Sequence, residues 1–102
     1  MIKDMGKEYD IDGTLIFEGE YINGKKNGNG KEYSFDTIRF EGEYLSGKRN
    51  GKGKKYYFNG DLEFEGKYLY SYKLYGKNYI KGKLEYEGEY LYDKKLEWKR
   101  IW

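Results

Sequence analysis

The chain has 102 residues, the size of one domain. Aromatic residues make up 21% of it, with 14 tyrosines among them, whereas alanine, valine, proline, cysteine and histidine are absent. Without cysteine or histidine there are no disulfides, thiolate nucleophiles, zinc-thiolate sites or imidazole bases, so the commonest catalytic and metal centres are excluded. The 20 basic and 18 acidic side chains nearly balance, so electrostatic binding depends on local clusters of charge.

Hydrophobic stretches are short throughout the chain. The first eight residues contain no apolar core of the kind that a signal peptide needs, and the longest apolar runs are three residues, too few to span a membrane. We therefore expect a cytoplasmic protein, with a peripheral position at a membrane or the cytoskeleton as the alternative. The missing alanine and the abundance of glycine and tyrosine argue against helices.

Short strands and tight turns are predicted in order along the chain. Asp12-Gly13 and Asn59-Gly60 predict hairpins with type I′ turns, because both central residues of that turn need a positive φ. Asp36-Thr37 and Lys81-Gly82 occupy the equivalent places later in the chain. Between the turns, apolar and polar residues alternate with a period of two, as in a strand with one covered face. The alternating residues expected on one face are Leu15/Phe17/Gly19/Tyr21, Ile38/Phe40/Gly42/Tyr44, Leu62/Phe64/Gly66/Tyr68/Tyr70 and Leu84/Tyr86/Gly88/Tyr90.

The alternating segments are copies of one another. The segment Phe17-Glu18-Gly19-Glu20-Tyr21-Ile22 recurs from Phe40, Phe64 and Tyr86, at spacings of 23, 24 and 22 residues. Two strands per copy predict an all-β, single-layer antiparallel meander of successive hairpins, with about eight or nine strands and no helix.

The pattern aromatic-x-Gly-x-Tyr-x-x-Gly-x-x-x-Gly-x-Gly resembles the MORN repeat (membrane occupation and recognition nexus). It is complete from Phe17 to Gly30 and from Phe40 to Gly53. The resemblance implies an elongated sheet of hairpins that acts as a scaffold, a protein-binding or phospholipid-binding module, or, in short bacterial arrays, a toxin-neutralising protein. It also implies one MORN-repeat domain over residues 1–102. Its predicted parts are a partial repeat 1–16, repeats 17–39, 40–63 and 64–85, and a partial terminal repeat 86–102.

The third and fourth copies depart from the pattern. After Leu69 the glycine-rich segment is replaced by Tyr70-Ser71-Tyr72-Lys73-Leu74-Tyr75, and the last copy continues into Trp98 and Trp102. Both changes add apolar surface, which fits a terminal cap or, as the alternative, a binding edge. The open edge strands and the two tryptophans also predict self-association into a homo-oligomer.

Two sets of residues are candidates for binding. On the aromatic face, phenylalanines are expected to form a thin core, and a tyrosine row to line a groove for a peptide or partner surface. The candidates on this face are Tyr21, Tyr33, Tyr44, Tyr56, Tyr68, Tyr70 and Tyr90. Basic residues recur at the repeat spacing, and along one edge of the sheet they would meet lipid phosphates or an acidic partner. These candidates are Lys25, Lys26, Lys48, Arg49, Lys52 and Lys54. Nucleic acid is disfavoured because the net charge is only +2.

Nothing in the sequence predicts a catalytic, cofactor or metal site. The glycine-rich segments lack the spacing of phosphate-binding loops, since Lys55 stands where a P-loop carries serine or threonine. Paired carboxylates such as Glu18/Glu20 are explained by cross-strand ladders with lysine. The sequence therefore favours a non-enzymatic protein-interaction module. The alternatives are an antitoxin-like inhibitor of one enzyme, and recruitment to an anionic membrane surface through the basic turns.

Overall fold

The computed structural model describes residues 3–97, which form one antiparallel sheet of nine strands in chain order. The strands are β1 (Lys3–Tyr9), β2 (Leu15–Ile22), β3 (Lys25–Ser34), β4 (Thr37–Leu45), β5 (Lys48–Tyr56), β6 (Leu62–Leu69), β7 (Tyr72–Ile80), β8 (Lys83–Leu91) and β9 (Lys94–Lys95). The sheet measures 55 × 33 × 18 Å. The predicted all-β meander is confirmed, and among residues 3–97 no helix is long and apolar enough to cross a membrane.

A row of glycines runs straight across the sheet. Each pairs with the next in register: Gly6, Gly19, Gly30, Gly42, Gly53, Gly66, Gly76 and Gly88. A Cβ atom built on Gly30 would lie 2.5 Å from the ring of Phe17 and 2.9 Å from that of Tyr44. The row therefore leaves room for aromatic rings to lie across the backbone, as the sequence predicts.

The core is a single file of those rings. Phe17, Phe40 and Phe64 are at most 1% exposed, which confirms them as the core. They alternate with Tyr44, Tyr68 and Tyr90, and successive rings meet edge to face with centroids 5.2–5.8 Å apart. Edge-to-face packing sets the positive ring edge against the negative ring face, which stabilises the file beyond its buried area.

The turns are of two kinds, and one prediction about them is wrong. In six two-residue turns both residues have positive φ: Asn23-Gly24, Phe35-Asp36, Ser46-Gly47, Tyr70-Ser71, Lys81-Gly82 and Tyr92-Asp93. In the turn after β1 only Gly13 has positive φ, and its N–H donates to the carbonyl of Asp10. In the turn after β5, Gly60 likewise has a positive φ, and its N–H donates to the carbonyl of Tyr57. These two loops are therefore longer turns ending in a glycine bulge, not the predicted type I′ turns.

Bulges also move residues away from the predicted face. Glu32 pairs with Phe40, but the register then shifts so that Tyr33 pairs with Ile38. The same shift pairs Tyr56 with Leu62. Because directly paired residues share a face, these pairs lie on the face opposite the phenylalanines. Assigning Tyr33 and Tyr56 to the aromatic face was therefore wrong, as was assigning Tyr70, which lies in the β6–β7 turn.

Candidate functional site

Cations cover the outer side of the aromatic file. Each is paired across the hairpin with a tyrosine: Tyr21 with Lys26, Tyr44 with Arg49, Tyr68 with Lys73 and Tyr90 with Lys95. The Lys26 ammonium lies 4.2 Å from the Phe17 ring centroid, the Arg49 guanidinium 4.0 Å from Phe40, and the Lys73 ammonium 4.8 Å from Phe64. Cation–π attraction and the aliphatic stems thus shield a core that has no second layer.

Two carboxylates anchor the first two of these units. Glu8 accepts a hydrogen bond from the Tyr21 hydroxyl, and its carboxylate lies 3.7 Å from the Lys26 ammonium. Glu32 likewise accepts from Tyr44 and takes two 2.9 Å hydrogen bonds from Arg49. Burial by itself would raise the pKa of Glu32, but the hydrogen bonds from Arg49 and Tyr44 outweigh it and lower that pKa.

The predicted tyrosine row is consequently closed to solvent over much of its length. Tyr44, Tyr68 and Tyr90 are 3–5% exposed. Tyr21, at the start of the row, is less deeply buried than these three. Their rings pack between phenylalanines rather than lining an open groove. That these tyrosines bind a partner stays a prediction. The exposed apolar surface of the molecule lies elsewhere.

The opposite face of the sheet is polar and carries a ladder of alternating charge. Lysine and glutamate alternate in register across eight strands: Lys7, Glu18, Lys31, Glu41, Lys54, Glu65, Lys77 and Glu87. The ladder accounts for the first glutamate of each predicted pair, whereas the second, Glu20, Glu43 or Glu89, lies opposite Met5, Asn29 or Tyr75. Beside it, the hydroxyls of Tyr33, Tyr56 and Tyr79 donate to Glu18, Glu41 and Glu65 at 2.6, 2.6 and 3.1 Å.

These hydrogen bonds help to raise the pKa of the tyrosines on the polar face. For Tyr33 the hydrogen bond to Glu18, with some desolvation, raises the pKa to about 12. For Tyr56 desolvation, followed by the hydrogen bond to Glu41, also raises the pKa to about 12. Both phenols stay protonated at neutral pH, so they donate hydrogen bonds and serve no role as bases.

A shallow groove runs along the polar face over the glycine row. It encloses about 1410 Å³, with six of the row's glycines in its lining and the charge ladder along it. Lys67 and Tyr75 line it on β6 and β7. The lysines and glutamates that surround it nearly cancel, so the groove as a whole offers no strong field for an anion or a cation.

The predicted basic residues do not form one surface. Lys26 and Arg49 lie over the aromatic file and pair with carboxylates of the chain. Lys52 and Lys54 line the groove on the other face. Lys25 and Lys48 remain exposed at the starts of β3 and β5. The prediction that these six residues line one edge of the sheet is therefore wrong, because the strand alternation sends neighbouring lysines to opposite faces.

An exposed apolar cluster surrounds the β6–β7 turn. Leu69 pairs with Tyr72, and the Tyr72 ring meets Tyr92 edge to face with centroids 5.4 Å apart. Tyr70, in the turn, and Tyr75, on the groove, are 55% and 48% exposed. We call Leu69, Tyr70, Tyr72, Leu74, Tyr75, Leu91 and Tyr92 the β6–β7 patch; all are at least 41% exposed. Of these, only Tyr70 was a predicted site residue, although the loss of the glycine pattern after Leu69 marks the whole segment.

Two further predictions concern other parts of the molecule. Trp98 and Trp102, the candidates for self-association, lie outside the described residues. Within residues 3–97 no group of three or more acidic side chains is arranged to hold a metal ion.

Comparison with known proteins agrees with the repeat architecture. The family model of the MORN repeat matches residues 17–36 and 40–62. A comparison with curated protein sequences finds no match. MORN repeats in general are interaction modules for proteins or membranes and are not themselves enzymes. This chain therefore contains MORN repeats, at residues 17–36 and 40–62.

Proposed function

We propose that this chain is a non-enzymatic module that binds another protein through the β6–β7 patch. The observation that carries the proposal is the exposure of that patch. Tyrosine and leucine side chains stand in the solvent at β7, where the corresponding parts of β3 and β5 carry asparagine, glycine and lysine. Contiguous exposed apolar surface of this kind marks an interaction site more often than it serves folding.

The chemistry of the patch suits a protein partner. Tyrosine offers a large apolar ring and a polar hydroxyl at little cost in side-chain entropy, which is why it is enriched in binding surfaces. Tyr70 is held in place because its N–H donates to the Asn50 side chain at 3.1 Å. The next residue, Ser71, donates its N–H to the Arg49 carbonyl at 2.8 Å. The turn is therefore preorganised, and binding loses less conformational entropy.

The groove extends this surface, since Tyr75 belongs both to the patch and to the groove lining. A partner seated on the patch would continue over Lys67 toward the charge ladder, whose alternating signs favour one register of a partner with the opposite alternation. The patch would then supply most of the binding free energy, and the ladder the orientation.

The test is a pull-down with quantitative mass spectrometry using a Tyr70→Ser/Tyr72→Ser double variant. We expect a protein captured by the unaltered chain to be lost. The matched control is Phe35→Ser/Phe58→Ser, which removes two exposed rings 6.3 Å apart at other hairpin turns. Circular dichroism establishes that both variants fold. Loss of the partner in the control alone, or in neither variant, would contradict the proposal.

The alternative functions give different results in the same experiment. One dominant captured enzyme whose activity the chain blocks would identify an antitoxin-like inhibitor. Membrane recruitment would instead appear as sedimentation with phosphatidylserine vesicles that is abolished by salt and by a Lys25→Ala/Lys48→Ala variant, because surface charge attraction is screened by ions.

A further inference from the structure

The anchoring unit of the aromatic face is repeated, but in the third copy one of its charges is reversed. Glu8 pairs with Phe17, Glu32 with Phe40, and Lys55 with Phe64, each in the same register. Lys55 thus occupies the position from which a carboxylate binds the tyrosine hydroxyl in the two preceding copies. The third unit therefore has its tyrosine, Tyr68, and its cation, Lys73, but no carboxylate.

Because Lys55 stands where the preceding copies have a carboxylate, the Tyr68 hydroxyl and the Lys73 ammonium lack the partner that their counterparts have. Tyr68 is 3% exposed, and its hydroxyl oxygen is buried without a hydrogen bond. Among residues 3–97, no carboxylate lies within 4.0 Å of the Lys73 ammonium. A buried hydroxyl without a partner is destabilising relative to one that is hydrogen-bonded. The third unit thus contains a hydroxyl without a hydrogen-bond acceptor and an ammonium group without a carboxylate.

Two lysines and two carboxylates lie around this unit. Glu63 lies 3.4 Å from Lys55 and pairs with it. Asp93 accepts the backbone N–H of Lys73 at 2.8 Å but forms no ion pair within 4.0 Å with the Lys73 ammonium. Burial, followed by the charge of Lys55, lowers the pKa of Lys73. Both lysines are partly exposed, so a ligand reaches their ammonium groups from solvent.

From this comparison we propose that Lys55, Tyr68 and Lys73 form a binding site for a carboxylate group supplied by a ligand. The site goes beyond the proposed protein-binding function and does not use the β6–β7 patch. The ligand carboxylate would take the place that Glu32 fills in the preceding copy. It would accept a hydrogen bond from the Tyr68 hydroxyl, as Glu32 does from Tyr44. It would pair with Lys73, as Glu32 does with Arg49.

The ligand class follows from the chain's own example. In both complete units the group that fills the position is a single planar carboxylate with one charge. Since Glu63 already pairs with Lys55, a carboxylate would bring one negative charge to the Lys73 ammonium, whereas a phosphate dianion would bring two beside an apolar ring file. An acidic side chain or a chain terminus of another molecule carries the required group.

The experiment is a titration of the full chain with sodium acetate, in which two-dimensional NMR records the chemical shifts of the backbone amides. Sodium chloride at equal ionic strength provides the reference. We expect saturable shifts at Lys55, Tyr68 and Lys73 with acetate and none with chloride. The variant Lys55→Glu fills the site from within, so it should lose the response. Lys54→Glu makes the same change of charge on the opposite face and should keep the response.

Several results would overturn the carboxylate site. These are the absence of saturable shifts with acetate, shifts that persist in Lys55→Glu, and saturation by inorganic phosphate alone. If Lys55→Glu fails to fold, Lys73→Gln serves instead, since removing the unpaired ammonium should also abolish the response. A Lys73→Gln chain that still binds acetate would exclude the proposed geometry.

Discussion

A single tyrosine hydroxyl contributes to stability only where its acceptor is present. Tyr44 and Tyr68 occupy equivalent places in successive copies, and their rings are 5% and 3% exposed. Tyr44 donates to Glu32, whereas the Tyr68 hydroxyl has no partner. The two residues therefore offer the same side chain in the same environment with opposite hydrogen-bonding states.

Removing the two hydroxyls should have different effects on the free energy of unfolding. We expect Tyr44→Phe to lower it by about 1–2 kcal/mol, because the charged acceptor loses a hydrogen bond. Tyr68→Phe should leave it unchanged or raise it, because an unsatisfied polar group is removed. Urea unfolding in chloride buffer, free of carboxylate and phosphate ions, measures both. Equal losses for the two variants would show that Tyr68 has an acceptor after all.

This difference is visible in the sequence only after the register is known. Glu32 precedes Tyr44 by 12 residues and Lys55 precedes Tyr68 by 13, so the reversed charge is not at a constant offset. The extra residue lies in the β5–β6 turn, where five residues separate Tyr56 from its partner Leu62, whereas four separate Tyr33 from its partner Ile38. Period-two alternation predicts which strand exists, but not where a bulge moves a side chain to the other face.

At the scale of the hairpin, the turns store different amounts of backbone strain. In the β3–β4 turn, Phe35 and Asp36 have φ values of 50° and 62°, a region that costs energy for any residue with a Cβ. In the β1–β2 turn, Asp12 does not have a positive φ, and the following Gly13 takes the left-handed conformation instead. Two exposed aspartates in neighbouring turns thus differ in backbone conformation.

The same substitution should therefore act in opposite directions at these two positions. Asp36→Gly should stabilise the protein by about 0.5–1 kcal/mol, because glycine adopts positive φ without steric cost. Asp12→Gly should destabilise it by a similar amount, because the unfolded chain gains freedom that the native turn does not need. Thermal unfolding midpoints compare the two. Destabilisation by Asp36→Gly would mean that its side chain holds the turn.

The bulge beside the β3–β4 turn explains why the prediction placed Tyr33 on the wrong face. The turn is centred on Phe35-Asp36 rather than on the predicted Asp36-Thr37, so Ser34 pairs with Thr37 and Tyr33 with Ile38. By strict alternation Ile38 would share the face of Phe40, and Tyr33 would lie there with it. The register shifts between Glu32 and Tyr33, however, so that Glu32 pairs with Phe40 and Tyr33 lies on the opposite face. The alternating pattern of the sequence carries no signal for that bulge.

At the scale of the whole molecule, the single-layer sheet is stable without a second layer of strands or helices because its own basic side chains cover the aromatic core. The repeat spacing predicts the meander and its phenylalanine core, since a fixed period and alternation leave few other folds. It does not predict that Lys26, Arg49, Lys73 and Lys95 cover that core, because lysines beside turns are ordinarily solvated. Their position depends on pairing with tyrosines across each hairpin.

This construction couples the stability of the entire sheet to tyrosine protonation. Tyrosine hydroxyls on both faces donate to glutamates, so a phenolate would face a carboxylate at each of these positions. Desolvation, together with the neighbouring carboxylates where they are present, raises the pKa of Tyr21, Tyr56 and Tyr90 to about 12 from the ordinary 10.0. Tyr33 reaches about the same pKa, chiefly through its hydrogen bond to Glu18.

We therefore expect the protein to lose stability between pH 10 and about pH 12. In that interval tyrosines of the unfolded chain release protons while those of the native sheet retain them, so each rise in pH favours unfolding. Below pH 10 the stabilisation is fully present. Urea unfolding across the interval measures the loss, and ultraviolet absorbance of tyrosinate should rise later in the native protein than in the urea-unfolded chain.

A Tyr33→Phe/Tyr56→Phe variant separates this effect from the deprotonation of lysines. It removes two of the shifted phenols and leaves every lysine in place, so its stability should decline less steeply with pH over the same interval. An unchanged slope would assign the alkaline loss to the cations over the aromatic file. Superimposable tyrosinate curves for native and unfolded chains would show that the hydroxyl–glutamate pairs do not hold their protons at all.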